Sequence, residues 1–305
     1  MTHFLQTEAW GKFQESLGRM VVRDSGDGWS YQAILEKGKI NSRLYVPYGP
    51  TLSKPGALSP ALTSLRAQAK KLGATFIRVE PLGNVTTDDL KAAGLRRVAR
   101  VQPEATSVVD LMRSNDDIIA AMTPSNRNLH RNYTAKGLEV HTSTNPADIT
   151  ILTTLLHGVA AKTGMHAHAD SYLQKQAETF LPTGDGLLYY VTYEGQPVVA
   201  SLVYDGDDTR YYGHAAADYE HRKLSPGTII VSQMILDAKA KGLTQFDLYG
   251  IWPDATGNNP QAGITRFKRS FGGHDIRYNG TWELPVKKTG YALYRLLVRW
   301  SKGRI

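Results

Sequence analysis

Residues 238–249, AKAKGLTQFDLY, decide the fold, because residues 69–80, AKKLGATFIRVE, repeat their pattern. The two stretches align without a gap, and Ala, Lys, Gly and Thr recur at the same four of twelve positions. Each stretch reads as the end of an amphipathic helix, a glycine that terminates it and a short strand. The chain is therefore predicted to use one helix–strand unit twice.

Two strands are predicted ahead of each copy of this unit. They cover residues 30–36 and 43–46 in the first half of the chain, and 187–193 and 198–204 in the second. The segments that join them contain residues typical of hairpin turns. The predicted fold class is therefore α/β (α+β), with two tandem domains that each hold a mixed sheet flanked by helices.

The domain boundary is predicted near Ser143. The first domain then covers residues 1–143 and the second covers 144–305, and the last elements are allowed to cross back to the first domain. Helices are predicted over residues 10–17, 60–72, 87–93, 115–133, 145–161, 171–180 and 227–240, and further strands over 75–80, 105–111, 138–142 and 244–251. Pro124 is expected to break the helix that contains it.

The composition excludes several classes of protein. The 305 residues are 41% hydrophobic and include no cysteine, so disulfides, zinc–thiolate sites and cysteine nucleophiles are ruled out. The patterns GxSxG, HExxH, Walker A and GxGxxG are absent. Because the sequence lacks a run of about 18 apolar residues and a secretion signal, we expect a cytoplasmic protein without a membrane-spanning helix.

Three histidines, His157, His166 and His168, lie close together in the sequence. Asp170 alone does not complete a ligand set with them, so no metal site is predicted, and the imidazoles are expected at the surface or in hydrogen bonds. The acidic run at residues 205–208 lies between two predicted strands and is interpreted as a hairpin turn.

The formal net charge of +8 favours a polyanionic partner, such as nucleic acid, an anionic lipid surface or a phosphorylated substrate. One cluster of cations lies within residues 123–137. The C-terminal segment combines an apolar face with Lys287, Lys288, Arg295, Arg299, Lys302 and Arg304. It would either lie on a membrane or an RNA backbone, or pack on the core as a terminal helix.

The loop at residues 221–227 precedes the helix of the second copy. A basic loop at a helix N-terminus is a natural phosphate site, and acetyl-CoA-dependent N-acetyltransferases use one with glycines at set positions. Here Ser225 and Pro226 interrupt that pattern, and Pro226 has no backbone N–H. The fold therefore looks acetyltransferase-like while the cofactor loop looks degenerate, and no cofactor is predicted.

Short motifs follow one another along nearly the whole chain, and their order and spacing are more specific than any one of them. They are WGKFQ (10–14), PYGP (47–50), IRVEP (77–81), VDL (109–111), PS (124–125) with Arg131, KGLEV (136–140), YY (211–212), DLYGI (247–251), FK (267–268) and GG (272–273). Together they resemble the FemABX family of tRNA-dependent aminoacyltransferases, which attach amino acids to peptidoglycan precursors. The chain resembles the compact members, since no charged heptad block of a paired-helix arm interrupts it.

The resemblance implies two acetyltransferase-like (GNAT-like) domains. The first would bind the acceptor, a UDP-MurNAc-peptide or a lipid-linked peptidoglycan precursor, and the second would hold the aminoacyl-tRNA and the reaction centre. Lys12 corresponds to a family lysine that holds the acceptor's phosphates. A family arginine with the same role falls on His168. This departure weakens phosphate binding unless the histidine is protonated or Arg222 takes the place of the arginine.

The resemblance also implies reaction-centre residues. Glu80 falls on an acidic residue of a first-domain strand, and Tyr212 falls on a tyrosine of the second sheet. Lys268, next to Phe267, falls on a lysine associated with the aminoacyl-tRNA end. Because an aminoacyl ester is already activated, no covalent nucleophile is needed. Lys268 would stabilise the oxyanion or the tRNA 3′ terminus. Glu80 would act on the acceptor ammonium or be a structural partner of Arg78 or another cation.

The tRNA would rest on the fold itself in a salt-sensitive contact. The predicted contacts are Arg127, Arg131, Arg266 and Arg269, although the residues around Lys268 are alternatively a solvated basic face. A peripheral contact with the inner face of the membrane is a further expectation. Two other functions stay open: a CoA-dependent N-acyltransferase, and a non-catalytic RNA-binding or scaffold protein of the same fold.

Overall fold

The computed structural model describes residues 2–38, 41–164, 166–257 and 259–302, so Arg304 lies outside the described residues. The chain forms two compact units. Unit 1 comprises residues 1–104 and 277–305, and unit 2 comprises residues 105–276. Each unit has its own sheet and its own hydrophobic core.

The strands are β1 (Met20–Gly26), β2 (Trp29–Lys37), β3 (Ser42–Val46), β4 (Thr51–Leu52), β5 (Phe76–Val79), β6 (Leu82–Gly83), β7 (Arg96–Arg97), β8 (Ala105–Asp110), β9 (Leu138–Ser143), β10 (Gly186–Tyr193), β11 (Gln196–Asp205), β12 (Thr209–Ala217), β13 (Gln245–Gly250), β14 (His274–Arg277) and β15 (Trp282–Pro285). The helices are α1 (Glu8–Ser16), α2 (Leu58–Lys71), α3 (Thr87–Ala92), α4 (Asn115–Ala121), α5 (Pro124–Asn132), α6 (Ile149–Thr163), α7 (Asp170–Phe180), α8 (Pro226–Ala240), α9 (Pro260–Arg269) and α10 (Lys288–Lys302).

The sheet of unit 1 runs in the order β6–β4–β2–β3–β5–β15–β7, and β1 pairs with β2. Strands β3 and β5 are parallel, with Leu44 opposite Ile77, and α2 connects them. Leu65 of α2 is fully buried with these two residues in the core. Burial of each such side chain contributes about 1.5–3 kcal/mol, which is what holds the crossover helix on the sheet.

The sheet of unit 2 runs in the order β14–β8–β13–β12–β11–β10–β9. Strands β12 and β13 are parallel, with Arg210 opposite Phe246, and α8 connects them. The apolar side chains of α8 are almost all buried, as expected for a helix enclosed by its surroundings. The parallel pair and its helix place the end of β13 beside α9, where the candidate site lies.

The predicted repeat and fold class are confirmed. In each unit three antiparallel strands lead through a helix to a strand that pairs in parallel with the third. The structure and the prediction differ by one strand in how the two units are matched. The prediction treats β10 and β11 as the equivalents of β2 and β3. The connectivity instead makes β11 and β12 their equivalents, since β12 is the strand that leads into α8. The acidic run at 205–208 does form the β11–β12 turn.

The division of the chain differs from the predicted boundary near Ser143. Val109 of β8 pairs with Phe246 of β13, so the chain already enters the second sheet at residue 105. Trp282 of β15 pairs with Val79 of β5, which returns the C-terminal segment to unit 1. That return was allowed for in the prediction. Both pairings join residues more than 130 positions apart, which local patterns do not reveal.

Pro124 separates α4 from α5, as predicted.

Helix α9 was not predicted, because its glycine and proline content weighs against a helix. The side chain of Asn259 caps α9 by accepting from the N–H of Gln261 at 3.0 Å. Pro260 occupies the first turn, where its missing N–H costs nothing.

Gly272→Ala should lower the stability of unit 2 by about 2–4 kcal/mol, from a left-handed backbone and overpacking together. Gly272 has a φ of +80°, and an added Cβ would lie 2.6 Å from the backbone oxygen of Ala121. The matched control is Gly263→Ala on α9, where no described atom lies within 4 Å of the Cβ position. That change should raise stability by about 0.5–1 kcal/mol. Urea unfolding of both variants measures the difference, and equal midpoints would contradict it.

Candidate active site

The end of β13 carries a backbone irregularity that shapes the site. Its register with β8 shifts between Asp247 and Gly250, and Tyr249 has a φ of 59°, a left-handed conformation that is unusual for a bulky residue. The buried carboxylate of Asp247 accepts from the N–H of Tyr249 at 2.6 Å and from the hydroxyl of Thr106. These bonds hold the strained turn in place.

The carbonyls of this turn accept hydrogen bonds from Lys268 in the last turn of α9. Nζ donates to the oxygen of Gly250 at 2.7 Å and to that of Tyr249 at 3.3 Å. Burial lowers the pKa of Lys268 from its ordinary value of 10.5 to about 8, and the charge of Asp247 opposes this shift. An ammonium has three N–H donors. Among the described residues two carbonyls accept from it, so one donor remains for a substrate.

Helix α9 is fixed to the strand end by Thr265. Its hydroxyl accepts from the N–H of Trp252 at 3.0 Å and donates to the carbonyl of Gln261 at 2.8 Å. Two residues further along α9, Phe267 packs on the core of unit 2 and meets Phe271 edge to face, with ring centroids 5.2 Å apart. The Lys268 side chain is therefore positioned from both sides by rigid contacts.

Tyr212 of β12 is brought to the same place. Its ring centroid lies 6.0 Å from Nζ of Lys268, at the outer limit of a cation–π contact. Burial raises the pKa of Tyr212 well above its usual value of 10, so its hydroxyl stays protonated and can donate a hydrogen bond. The structure thus brings together two of the three predicted reaction-centre residues.

The loop ahead of α8 offers few donors to an anion. Ser225 is left-handed with a φ of 52°, Pro226 lacks an N–H, and the N–H of Thr228 donates to the carbonyl of Ser225 at 3.0 Å. The ring of Phe267 also approaches, with Cζ 3.8 Å from the position of a Cβ on Gly227. The first turn of α8 is therefore poorly suited to cradle a pyrophosphate.

Arg222 and His168 are exposed in unit 2. The guanidinium carbon of Arg222 lies 3.9 Å from the ring centroid of Tyr219, and Nη1 donates to the Tyr219 carbonyl at 3.1 Å. His168 stacks on Tyr172 at 4.7 Å and meets His214 edge to face at 5.1 Å. Burial and, second, the neighbouring His168 lower the pKa of His214 to about 4. The phosphate-binding roles of Arg222 and His168 stay predictions.

Glu80 lies in unit 1 and is fully bonded by protein donors. One carboxylate oxygen accepts from the hydroxyl of Tyr45 at 2.8 Å and the N–H of Tyr48 at 3.3 Å. The other accepts from the N–H of Gln102 at 3.0 Å and the hydroxyl of Thr281 at 2.7 Å. This geometry favours the structural alternative for Glu80, although its partners are hydroxyls and amides and not the predicted Arg78.

Lys12, also in unit 1, lies on the exposed side of α1 and pairs with Glu8 at 2.9 Å. Such an exposed pair is weak, so it leaves Lys12 able to exchange Glu8 for a phosphate. Its predicted role is neither supported nor contradicted by this contact.

The four arginines predicted to contact tRNA divide into two kinds. Arg127 donates to the carbonyls of Ala120 at 2.9 Å and Met122 at 2.5 Å, which caps the end of α4. Arg269 pairs with Asp275. Arg131 and Arg266 are exposed and lie on α5 and α9. The last two are therefore the better placed for a phosphate backbone.

Sequence reasoning missed the roles of Asp247 and Thr265. The DLYGI motif drew attention to the strand, but nothing in it shows that the Asp247 side chain folds back on its own backbone. A polar residue at position 265, three before Lys268, was the available signal for the α9 contact.

Among the described residues, no cluster of three or more His, Asp or Glu is arranged to hold a metal ion. The described helices include none that is long and apolar enough to cross a membrane.

Two sheets, each with a parallel strand pair bridged by a helix, form a tandem acetyltransferase-like fold. Among solved structures the chain is similar to FemX, with a TM-score of 0.84, 17% identity and coverage of 95% of this chain and 94% of that one. It is also similar to the C-terminal domain (DUF2156) of a putative lysylphosphatidylglycerol synthetase from Agrobacterium fabrum, with a TM-score of 0.62, 11% identity and coverage of 97% and 93%.

The sequence comparisons point to one family within this fold. Residues 188–299 match the FemAB family model. Aminoacyltransferase FemA from Staphylococcus epidermidis is 28% identical over 101 residues, which are 33% of this chain and 22% of that relative's length. Together with the FemX fold, these matches confirm, over the second part of the chain, the resemblance to the FemABX family that the sequence shows.

Proposed function

We propose that the protein is an aminoacyltransferase that moves an amino acid from aminoacyl-tRNA to an amine of a peptidoglycan-precursor stem peptide. The observation that carries the proposal is the buried Lys268, held by two backbone carbonyls at a strained strand end and facing Tyr212. Both residues lie within the part of the chain that matches the FemAB family. The protein would act in the cytoplasm, where charged tRNA is available.

In the proposed reaction the acceptor amine attacks the ester carbonyl that links the amino acid to the tRNA ribose. An amide C–N bond forms and the ester C–O bond breaks, and a proton from the amine ends on the departing ribose oxygen. The negative charge that develops on the carbonyl oxygen would be met by the remaining N–H of Lys268. A donor fixed before the reaction, in a site of low polarity, is an efficient stabiliser of such charge.

The other predicted residues would bind the two substrates. Tyr212 would donate a hydrogen bond near the reaction centre, and Phe267 would line the tRNA 3′ end. Lys12 of unit 1, and His168 or Arg222 of unit 2, would each contact a phosphate of a UDP-linked or lipid-linked acceptor. Arg131 and Arg266 would contact the tRNA backbone, with Arg127 and Arg269 beside them.

The first turn of α8 bears on the CoA-dependent alternative. Pro226 has no N–H and that of Thr228 is already used, so the loop lacks donors that a CoA pyrophosphate needs. This supports aminoacyl-tRNA as the co-substrate, with no further cofactor. A non-catalytic RNA-binding role would not require a lysine buried at the cost of a lowered pKa.

The proposal is tested by transfer of radiolabelled amino acids from a total charged tRNA pool to UDP-linked and lipid-linked muropeptides. RNase-sensitive incorporation would establish the reaction and identify the donor and acceptor. A lack of incorporation with either acceptor, for protein that is folded by circular dichroism, would refute it. Titration with CoA in parallel separates the CoA-dependent alternative from the binding-only one.

The rate of transfer should fall as the pH rises through about 8, because Lys268 must be protonated to meet the oxyanion and burial lowers its pKa to about 8. A lysine with the ordinary pKa of 10.5 would keep its proton over that range. Lys268→Arg stays charged and should lose this descending limb. The pH profile of single-turnover transfer measures it. A limb at the same pH in the arginine variant would assign the titration to another group.

A further inference from the structure

The outer face of α10 is distinct from the proposed active site. The helix docks on unit 1 through Tyr291, which is 5% exposed and donates to Glu283 at 2.8 Å, and through Tyr294, which accepts from Arg78 at 2.9 Å. These contacts show that the C-terminal segment packs on the core as a terminal helix, which is one of its two predicted alternatives. They leave the opposite side of the helix facing solvent.

That opposite side is apolar. The residues are Leu293, Leu296, Leu297 and Trp300, which are 55%, 62%, 38% and 68% exposed. Their spacing of three, four and seven places them in one stripe of the helix. Few large apolar side chains of the described residues are exposed, and four of them are aligned here. They form an apolar patch of the kind that marks an interaction site.

A basic cleft of about 560 Å³ borders the stripe. Its cations are Arg66 of α2, Arg96 of β7, and Lys288, Arg295 and Arg299 of α10. Of the residues that the structure describes, no carboxylate lines the cleft, and the sequence of α10 contains no acidic residue. The carboxylate of Glu283 is fully buried and lies 3.9 Å from Arg295. Leu296 belongs to both the cleft and the stripe, so the cationic and apolar surfaces are continuous.

We propose that this surface docks on an anionic phospholipid membrane, with the leucine and tryptophan stripe in the interfacial layer and lipid phosphates in the arginine cleft. A helix with a basic side and an apolar side lies in the membrane interface in this way. Tryptophan favours the same depth. An RNA backbone would use the cations but has nothing to cover three aligned leucines, so the apolar stripe decides between the two polyanions.

The test is vesicle flotation with the full chain. Phosphatidylcholine vesicles with phosphatidylglycerol should bind the protein, and vesicles of phosphatidylcholine alone should bind it at least tenfold more weakly. Added salt should weaken the binding, since exposed charges are screened. The Arg96→Gln/Arg299→Gln variant should lose about fivefold in affinity for each charge. Leu293→Ser/Trp300→Ser should lose at least about tenfold, because the apolar burial is removed.

Two control variants remove similar groups elsewhere in unit 1. Lys70→Gln/Lys71→Gln takes two exposed charges from the end of α2, and Met20→Ser removes an exposed apolar side chain of β1. Both should bind anionic vesicles nearly as the wild type does. All substituted side chains are exposed, so each variant should keep the wild-type circular dichroism.

Three results would overturn the proposal. The first is no binding to anionic vesicles. The second is binding that the α10 variants leave unchanged. The third is loss of binding to fluorescent RNA in the α10 variants without any vesicle binding, which would assign the surface to RNA. None of these outcomes depends on aminoacyl transfer, so a failure here leaves the proposed function standing.

Discussion

Lys268→Met should lower the rate of aminoacyl transfer by about 100- to 1000-fold, the usual cost of removing one fixed donor from a developing oxyanion. The side chain is 9% exposed, so methionine fills nearly the same space without a charge. The loss should appear in the single-turnover rate, whereas the affinity for tRNA should change little. A rate within threefold of the wild type would remove Lys268 from the mechanism.

Methionine leaves the carbonyls of Tyr249 and Gly250 without the donor they have in the wild type. Lys268→Gln is uncharged but still carries N–H donors, on a slightly shorter side chain, so equal losses in both variants would point to the charge itself. Gly263→Ala on the same helix is the control, and it should transfer at the wild-type rate. Thermal unfolding of all three variants separates a loss of catalysis from a loss of structure.

The repeated helix–strand unit was predictable because its signals are local. A helical period, a glycine at the helix end and an apolar strand occur within twelve residues at 69–80 and again at 238–249. The pairing of β8 with β13 and of β15 with β5 was not, because no local pattern records which strands become neighbours. The misplaced boundary and the one-strand shift in the repeat have this same cause.

The site residues stay predictions, and the geometry around them could not be predicted from the sequence. The family resemblance pointed to Lys268 and Tyr212, and the structure places them together. The two carbonyls that accept from Lys268 are positioned by the left-handed conformation of Tyr249. A tyrosine in a predicted strand gives no sign of that conformation. The family resemblance made Glu80 a candidate that acts on the acceptor ammonium, and only the four surrounding donors show how fully its oxygens are occupied.

The docking of α10 depends on Glu283, a fully buried carboxylate on β15. Nε of Arg78 donates to one oxygen at 3.1 Å, the Nη2 group donates to the same oxygen, and the hydroxyl of Tyr291 donates to the other at 2.8 Å. Arg78 in turn donates to the hydroxyl of Tyr294. The charge of Glu283 is therefore what makes burial of Arg78 tolerable beneath the helix.

Glu283→Leu should lower the free energy of unfolding of unit 1 by about 3–5 kcal/mol, because it leaves a buried guanidinium without its carboxylate. Urea unfolding followed by circular dichroism measures the loss. The control is Glu36→Gln, which breaks a partly exposed ion pair with Arg43 and should cost at most about 1 kcal/mol. Arg78→Met added to Glu283→Leu should recover most of the loss, since the unpaired charge is then gone. If the double variant is as unstable as the single one, packing and not the buried charge governs this contact. The rate of amide hydrogen exchange in α10 should rise in Glu283→Leu. In the double variant it should fall back toward the wild-type rate, to the extent that the helix packs on the sheet again.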